Sequence, residues 1–522
     1  MTISAARATP SGQDETASFA LAAPPLRNAV LSGCFFGSRH VEPARQVAEF
    51  AVEDARPALR RWFGMAVAAE LLLNEDALRG ALDRDIAAID ALLSEQVDAI
   101  LHAPRMRKLE GSWRGLAWLV GGLKPGGRVK VRLLTISWSE ICRDLERAAE
   151  FDQSNLFRQI YEGEFGMPGG EPFGLLLIDH EVRHRPSAQA PTDDVAAIGR
   201  LSSIAAAAFA ILVLAASPAL LDVDEFADLA MASDPASPLR QALHDRWRNL
   251  AGREDMRFVC VVLPRVLARP PWPDDPARAD GFRYAEFAPR ATHRIWMSAG
   301  YPFAAAVARA FANHAWPADI RGIDTDREGG GVVTQLPVEG FSTDPPGVWV
   351  RPPLDLVLHD GQERMLVEAG LIPLTALPYS VDAAFVSVGS LQRPQHYVGA
   401  TGEAATANAR ISSQVNAMLC ASRFAHYIKV IGRDMVGTPE TAAKIEQRLQ
   451  SWLNGYINAA INAGPETRAR QPLMAGRVTI SERPGRPGVY GCTIQLQPHF
   501  QLDDVAATFR LVTEVTAPGQ RG

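Results

Sequence analysis

Three short runs of unbroken apolar residues constrain this chain more than anything else in it: Phe173–Ile178 (FGLLLI), Ala210–Ala215 (AILVLA) and Phe258–Leu263 (FVCVVL). A strand with one wet face alternates polar and apolar residues, whereas a strand covered on both faces reads as a continuous apolar run. Such runs are too short for ordinary helices. Helical patterns separate them, so the expectation is a sheet buried on both faces within a mixed α/β (α+β), multi-domain fold. The 522 residues allow roughly two to four domains, and an apolar share of 47% supplies a large core.

Around this centre the pattern changes several times. Residues 1–28 read as a flexible tail without the basic start and apolar stretch of a signal peptide. Residues 29–36 (AVLSGCFF) read as a short isolated strand, and 29–105 as that strand plus helices. Within them Leu82, Ile86, Ile89, Leu93, Val97 and Ile100 form one stripe at three- and four-residue steps. Residues 106–290 carry the α/β region, with a further strand at Val129–Ile136 (VKVRLLTI) and a loop at Arg269–Pro276. A second α/β region spans 291–400, with a helix at Ala299–His314 and a glycine-rich loop at Arg327–Gly331. Residues 401–522 read as two helices, Ala407–Gly432 and Pro439–Ala463, then strands at Arg477–Glu482, Gly488–Leu496 and Ala506–Val515. The turn PGRPG (Pro484–Gly488) makes the first two strands a hairpin.

Several function classes fall away on these residues. A net charge of −6 without a Lys/Arg cluster is wrong for a nucleic-acid binder. The uncharged stretch Leu201–Leu221 is alanine-rich and broken by Pro218, so it reads as a buried helix running into a buried strand rather than a membrane span. The five cysteines (Cys34, Cys142, Cys260, Cys420, Cys492) are scattered without a CxxC pair and read as reduced core thiols of a cytoplasmic protein. His426, amid apolar residues of a helix, reads as a core histidine. No phosphate-binding loop and no G-x-S-x-G elbow occur.

The sharpest chemical motif is HEVRH, where His180, Glu181 and His184 match the zinc-peptidase pattern H-E-x-x-H. That pattern works on a helix, which puts both histidines on one face. Here it follows a strand-like run and precedes Arg185-Pro186, and a residue before proline is pushed away from helical angles. The expectation is a polar strand-end loop in which Asp179, Glu181 and His184 bond main-chain groups, so no catalytic residue, metal ligand or cofactor is assigned.

Longer motifs point elsewhere. LEGSWRGLAWLV (Leu109–Val120), FDQSNLFRQIYEGEFG (Phe151–Gly166), RFVCVVLPRVLARPP (Arg257–Pro271), IRGIDTDREGGGVVTQLPV (Ile320–Val338), SRFAHYIKVIGRD (Ser422–Asp434) and RPGVYGCTIQLQPHFQLDD (Arg486–Asp504) resemble, in this order, the large contractile-sheath subunits of type VI secretion systems, the TssC/VipB/EvpB family. The resemblance runs from about Asp90 to the C-terminus. In that family the stretch matching Ile178–Pro186 is similar to G-D-Y-E-F-x-H-x-P, with tyrosine at the place of His180. The loop RGIDTDREGGG is longer than the family's, and residues 42–83 differ from its shorter N-terminal region.

The resemblance implies a non-enzymatic subunit that pairs with a small sheath subunit (TssB/VipA-like), polymerises around a tube of Hcp, docks on a baseplate and is dismantled by a ClpV-type ATPase. A sheath paralogue at the baseplate or cap is the alternative, and a zinc metallopeptidase built on HEVRH a more distant one. Strand addition between subunits would then run through the N-terminal and C-terminal strands, with Val30, Leu31, Phe35, Val478, Ile480, Ile494, Leu496, Phe509 and Leu511 as interface candidates.

Overall fold

The computed structural model describes residues 26–35, 37–167, 169–277, 281–323, 329–340, 343–344, 351–378, 380–394, 397, 402–434, 441–460, 463–482, 489–499 and 509–516. The expected tail lies almost wholly outside them, as do the turn PGRPG and residues 327–328 of the glycine-rich loop. The chain forms two compact units, Met1–Leu101 with Trp272–Phe287, and His102–Pro271 with Ala288–Gly522.

The first unit is helical: α1 (Leu26–Leu31), α2 (Val41–Phe50), α3 (Ala55–Phe63), α4 (Met65–Leu71) and α5 (Glu75–Leu101). Leu26, Trp62, Phe63, Ala68 and Ala81 form its core, with Val30, Phe50 and Leu82 packed against it. Here the expected strand at 29–36 is corrected. Residues 26–31 are helix and 32–35 turn, because a lone strand leaves main-chain groups unpaired while a helix satisfies its own. One distant contact fixes the choice. Arg27 donates twice to the buried carboxylate of Asp85, both at 2.7 Å, and Trp62 Nε1 donates to it at 2.8 Å. These bonds, Arg27's foremost, outweigh burial and hold the Asp85 carboxyl below the usual carboxylate range. The stripe on α5 is helical as expected, but Ile86, Leu93 and Ile100 are exposed. Cys34 is exposed too, unlike the other four cysteines, which are buried. In the segment Trp272–Phe287, Tyr284 donates to Asp98 of α5 at 2.6 Å.

The second unit opens with α6 (Pro104–Gly121), α7 (Trp138–Arg147) and the short α8 (Asn155–Phe157), which runs into a π-helical stretch, Arg158–Gly166. The expected centre follows: β1 (Leu175–Val182), α9 (Asp194–Ala208), β2 (Ile211–Ala216), α10 (Asp245–Ala251) and β3 (Val259–Leu263). Next come β4 (Val266–Arg269), β5 (Ile295–Met297), α11 (Gly300–His314), β6 (Val332–Val333), α12 (Asp360–Glu368), β7 (Ile372–Pro373), β8 (Thr375–Ala376) and β9 (Ala383–Ala384). Strands β1, β2, β3 and β7 make one sheet in that order, parallel throughout, with Leu177 beside Val213, Val213 beside Cys260 and Val262 beside Ile372. Every residue of β2 and β3 is buried, as continuous apolar runs require.

The segment Val129–Ile136 is extended but belongs to no sheet. It has the alternation of a strand, and among the described residues no strand pairs with it.

The C-terminal part holds α13 (Gly402–Ser412), α14 (Val415–Asp434), α15 (Ala442–Asn454), α16 (Pro465–Arg470), β10 (Leu473–Glu482), β11 (Val489–Pro498) and β12 (Phe509–Thr516). The single helix expected at 407–432 is broken at Ser413-Gln414. There Ser390 N donates to Ser413 O at 2.7 Å and Val415 N to Val388 O at 3.1 Å, so main-chain bonding leaves the helix. Strands β10, β11 and β12 form an antiparallel sheet in sequence order. One face packs on α14 and α15: Val478, Cys492, Ile494 and Leu496 share a core with Trp316, Phe424, Ile428, Ile445, Leu449 and Leu453. No helix of the described residues is long and apolar enough to cross a membrane.

Candidate functional site

Alternation along β1 takes HEVRH apart. His180 Nε2 lies 3.1 Å from Asp194 Oδ2, and its ring stacks on Trp138 at 4.2 Å. Burial acts to raise the Asp194 carboxyl, but hydrogen bonds from His180, Trp138 and Thr192 hold it below the usual range. Glu181, on the opposite face of the strand, takes a two-pronged bond from Arg265 at 2.6 and 2.7 Å. Asp355 closes that group, accepting from the Arg265 amide at 2.8 Å; burial lifts its carboxyl to about 8 against the pull of Arg265. Asp179 accepts from the hydroxyl of Tyr301 at 3.0 Å. The motif is strand through Val182 rather than the expected loop, and Asp179 and Glu181 bond side chains rather than main chain. The glutamate and two histidines of a zinc peptidase never meet, so that alternative is withdrawn.

His184 lies beyond the strand and turns to a different group. Its ring sits 3.9 Å from that of His244, and both face Asp222. These three residues bring ligand atoms within 4.8 Å of one another. Burial, and then the neighbouring His244, hold His184 below the usual histidine range. Sequence reasoning had only one member of this group, because Asp222 and His244 carry no local motif.

The LEGSWRGL stretch has a packing role. On α6, a side chain at Gly111 would run into the carbonyl oxygen of Trp296 in β5, and one at Gly115 into the ring of Tyr301. Glu110 accepts from Arg114 at 2.7 Å and from Arg269 of β4 at 2.5 Å, and Trp118 Nε1 reaches Gln335 O at 2.9 Å. In the glycine-rich loop, a side chain at Gly331 would strike Phe385 O, and Arg309 Nη2 donates to Gly330 O at 2.6 Å. The described part of this loop is packed against protein. His426 is buried, its Nε2 2.9 Å from Ala208 O, and burial lowers it to about 4. Burial also pushes the thiols of Cys142 and Cys420 up to about 12, which leaves them protonated packing residues.

The candidate assembly surfaces divide differently. Val30, Leu31 and Phe35 are half-buried on α1 and the turn after it. Val478, Ile494 and Leu496 are only 3%, 0% and 1% exposed, and Ile480 is half-buried, so their side chains serve the chain's own core. Phe509 and Leu511 enter only through register, opposite Leu496 and Ile494. The two sheet edges differ. On β10, Val478 N donates to Gln450 Oε1 and Ile480 N to Glu446 Oε2, both at 2.8 Å, so side chains of α15 cover that edge. β12, the other edge strand, lies against α14.

A further bare feature is Val129–Ile136, which sequence reasoning found as a strand but not as a surface. Val131, Leu133, Leu134 and Ile136 are 44%, 58%, 50% and 38% exposed. Among the described residues its main chain makes one hydrogen bond, from Ile136 N to Leu134 O. Lys130 and Arg132 tie it down through Glu171 and Glu164.

Comparison with known proteins agrees with this layout. Residues 83–392 match the family described as VipB, the EvpB/VC_A0108 tail sheath N-terminal domain, and residues 404–515 match its gpW/gp25-like tail sheath domain. The chain is 32% identical over 485 residues to the type VI secretion system sheath protein TssC1 of Pseudomonas aeruginosa, across 92% of this chain and 95% of that protein. Strands committed to a closed core, glycines that let α6 ride on β5, and bare extended main chain are features of a building block, and the chain belongs to the VipB/EvpB family as a structural large subunit of a type VI secretion sheath.

Proposed function

We propose that this subunit co-polymerises in the cytoplasm with a small TssB/VipA-like subunit around an Hcp tube, turns over no substrate itself, and contracts against a baseplate before a ClpV-type ATPase dismantles the sheath. The observation that carries this reading is the segment 129–136, extended and apolar, with main-chain groups left unpaired among the described residues. Exposed, β-prone main chain is a hazard in a monomer and a template in a polymer. A strand from a neighbouring subunit laid along it gives main-chain bonds for affinity and alternate side chains for register. Contraction then draws on packing: burying apolar surface yields about 25 cal/mol per Å², so a few hundred Å² per subunit gives several kcal/mol along each step of the polymer.

The test is Leu133→Pro, co-expressed with the small subunit. Proline removes a donor from the segment without breaking an internal ladder. The expected result is an unchanged thermal unfolding curve for the free chain and the loss of long tubes in electron micrographs. Full-length tubes from the variant overturn the role of this segment. Discrete particles from the unaltered pair favour the cap or baseplate paralogue instead.

A further inference from the structure

We propose that His184, Asp222 and His244 form a binding site for a first-row divalent metal of the zinc class, a structural staple between the carboxyl end of β1 and the connection from β2 to α10. His184 follows β1, Asp222 follows β2 and the short 3₁₀ turn Pro218–Leu221, and His244 immediately precedes α10. The carboxyl ends of parallel strands are where such folds gather side chains into sites.

Two imidazoles and a carboxylate suit zinc and its neighbours rather than magnesium or calcium. His184 Nε2 lies 3.8 Å from Asp222 Oδ1, and His244 Nδ1 lies 3.9 Å from Asp222 Oδ2. Ligand atoms on one tetrahedral zinc sit about 3.3 Å apart, as bonds of about 2.0 Å require. Taken one per residue, the three ligand atoms lie within 4.8 Å of one another, so side-chain rotation has to draw them together around the ion.

A second observation is independent of the spacing. The side chains of His184 and His244 are 3% and 0% exposed. Yet Nδ1 of His244 has no hydrogen-bond partner, and neither ring nitrogen of His184 makes a bond of good geometry, although the main chain of Ala219 interacts with that ring. Buried polar atoms are nearly always partnered, so three in one place call for an occupant. The remaining nitrogen, His244 Nε2, lies 3.0 Å from the carbonyl oxygen of Leu220. A proton there fixes the tautomer with the Nδ1 lone pair facing Asp222. A bond from the far ring nitrogen to a main-chain carbonyl is the support that metal-binding histidines use. Asp222 is the most exposed of the three, with its side chain 30% accessible, so solvent reaches the site from its side and water completes the coordination.

This site shares only His184 with the peptidase pattern, because His180 and Glu181 are engaged elsewhere. That separation gives the test. The full-length chain, purified without a histidine tag, is stripped with chelator and dialysed against zinc chloride. Elemental analysis is expected to find one zinc per chain in the unaltered protein and in His180→Ala, and less than a tenth of that in His184→Ala and His244→Ala. Asp222→Asn, at the exposed member, keeps the fold readable by circular dichroism and is expected to weaken zinc binding about tenfold or more, as loss of a ligand should. It also abolishes any zinc-dependent rise in melting temperature. With Co²⁺ as probe, the visible absorption of a nitrogen- and oxygen-ligated ion appears in the unaltered chain and is absent from Asp222→Asn. Equal zinc uptake by the unaltered chain and folded Asp222→Asn overturns the site, as does the absence of saturable uptake or its loss in His180→Ala.

Discussion

The central parallel sheet and the C-terminal antiparallel sheet solve one packing problem in opposite ways. In β2 and β3 both faces are buried and neighbours flank both edges, so these strands have nothing to offer another molecule. In β10 and β11 one face is core, the residues between (Arg477, Thr479, Gln495) are exposed, and the outer edge of β10 needs Gln450 and Glu446 to cover it. Strands closed on both faces and both edges are a scaffold; a sheet with a wet face and an edge that must be managed is a connector.

The sharpest way to break this contrast is to place a charge in each sheet. Val261→Asp buries an unpaired carboxylate in β3, and the chain is expected to lose more than about 4 kcal/mol and fail to fold. Thr479→Asp, on the exposed side of β10, is expected to change stability by less than about 0.5 kcal/mol. Denaturant unfolding compares them, and a folded Val261→Asp protein ends the distinction.

The next effect concerns the joint between the regions. His426 of α14 meets Ala208 at the end of α9, and its ring is held neutral down to about pH 4. Its folded value lies below the unfolded one, so the stability it confers is complete above about pH 6.5 and is lost as pH falls towards 4. The difference amounts to roughly 3 kcal/mol. His426→Gln is expected to flatten the stability profile across that window, which unfolding at a series of pH values measures. The smallest effect tests the covered edge. Gln450→Ala strips the Val478 amide of its acceptor and is expected to cost about 1–2 kcal/mol, with increased light scattering from edge pairing.

The sheets also differ in how openly the sequence announced them. The central strands were legible because burial on both faces permits only apolar residues. The alternation in β10 and β11 was legible too, and Pro186 argued against a helix for HEVRH, although the strand-end loop expected there is strand through Val182. What failed depended on distant partners. AVLSGCFF has the composition of a strand, yet Arg27 meets an aspartate 58 residues away and the stretch begins as helix. VKVRLLTI reads as a strand from its alternation, yet among the described residues it joins no sheet. The group of His184, Asp222 and His244 spans three connections, and no spacing rule joins them.

For a machine that works by moving, the absence of side chains at Gly111 and Gly115 acquires a mechanical meaning. The helix α6 rests its backbone against the Trp296 carbonyl and the Tyr301 ring, and Tyr301 holds Asp179 of β1. There is little soft matter in that path to compress, so a push on α6 reaches the strands without being absorbed on the way. Such contacts tie α6, β5 and β1 into one stiff group within the second unit.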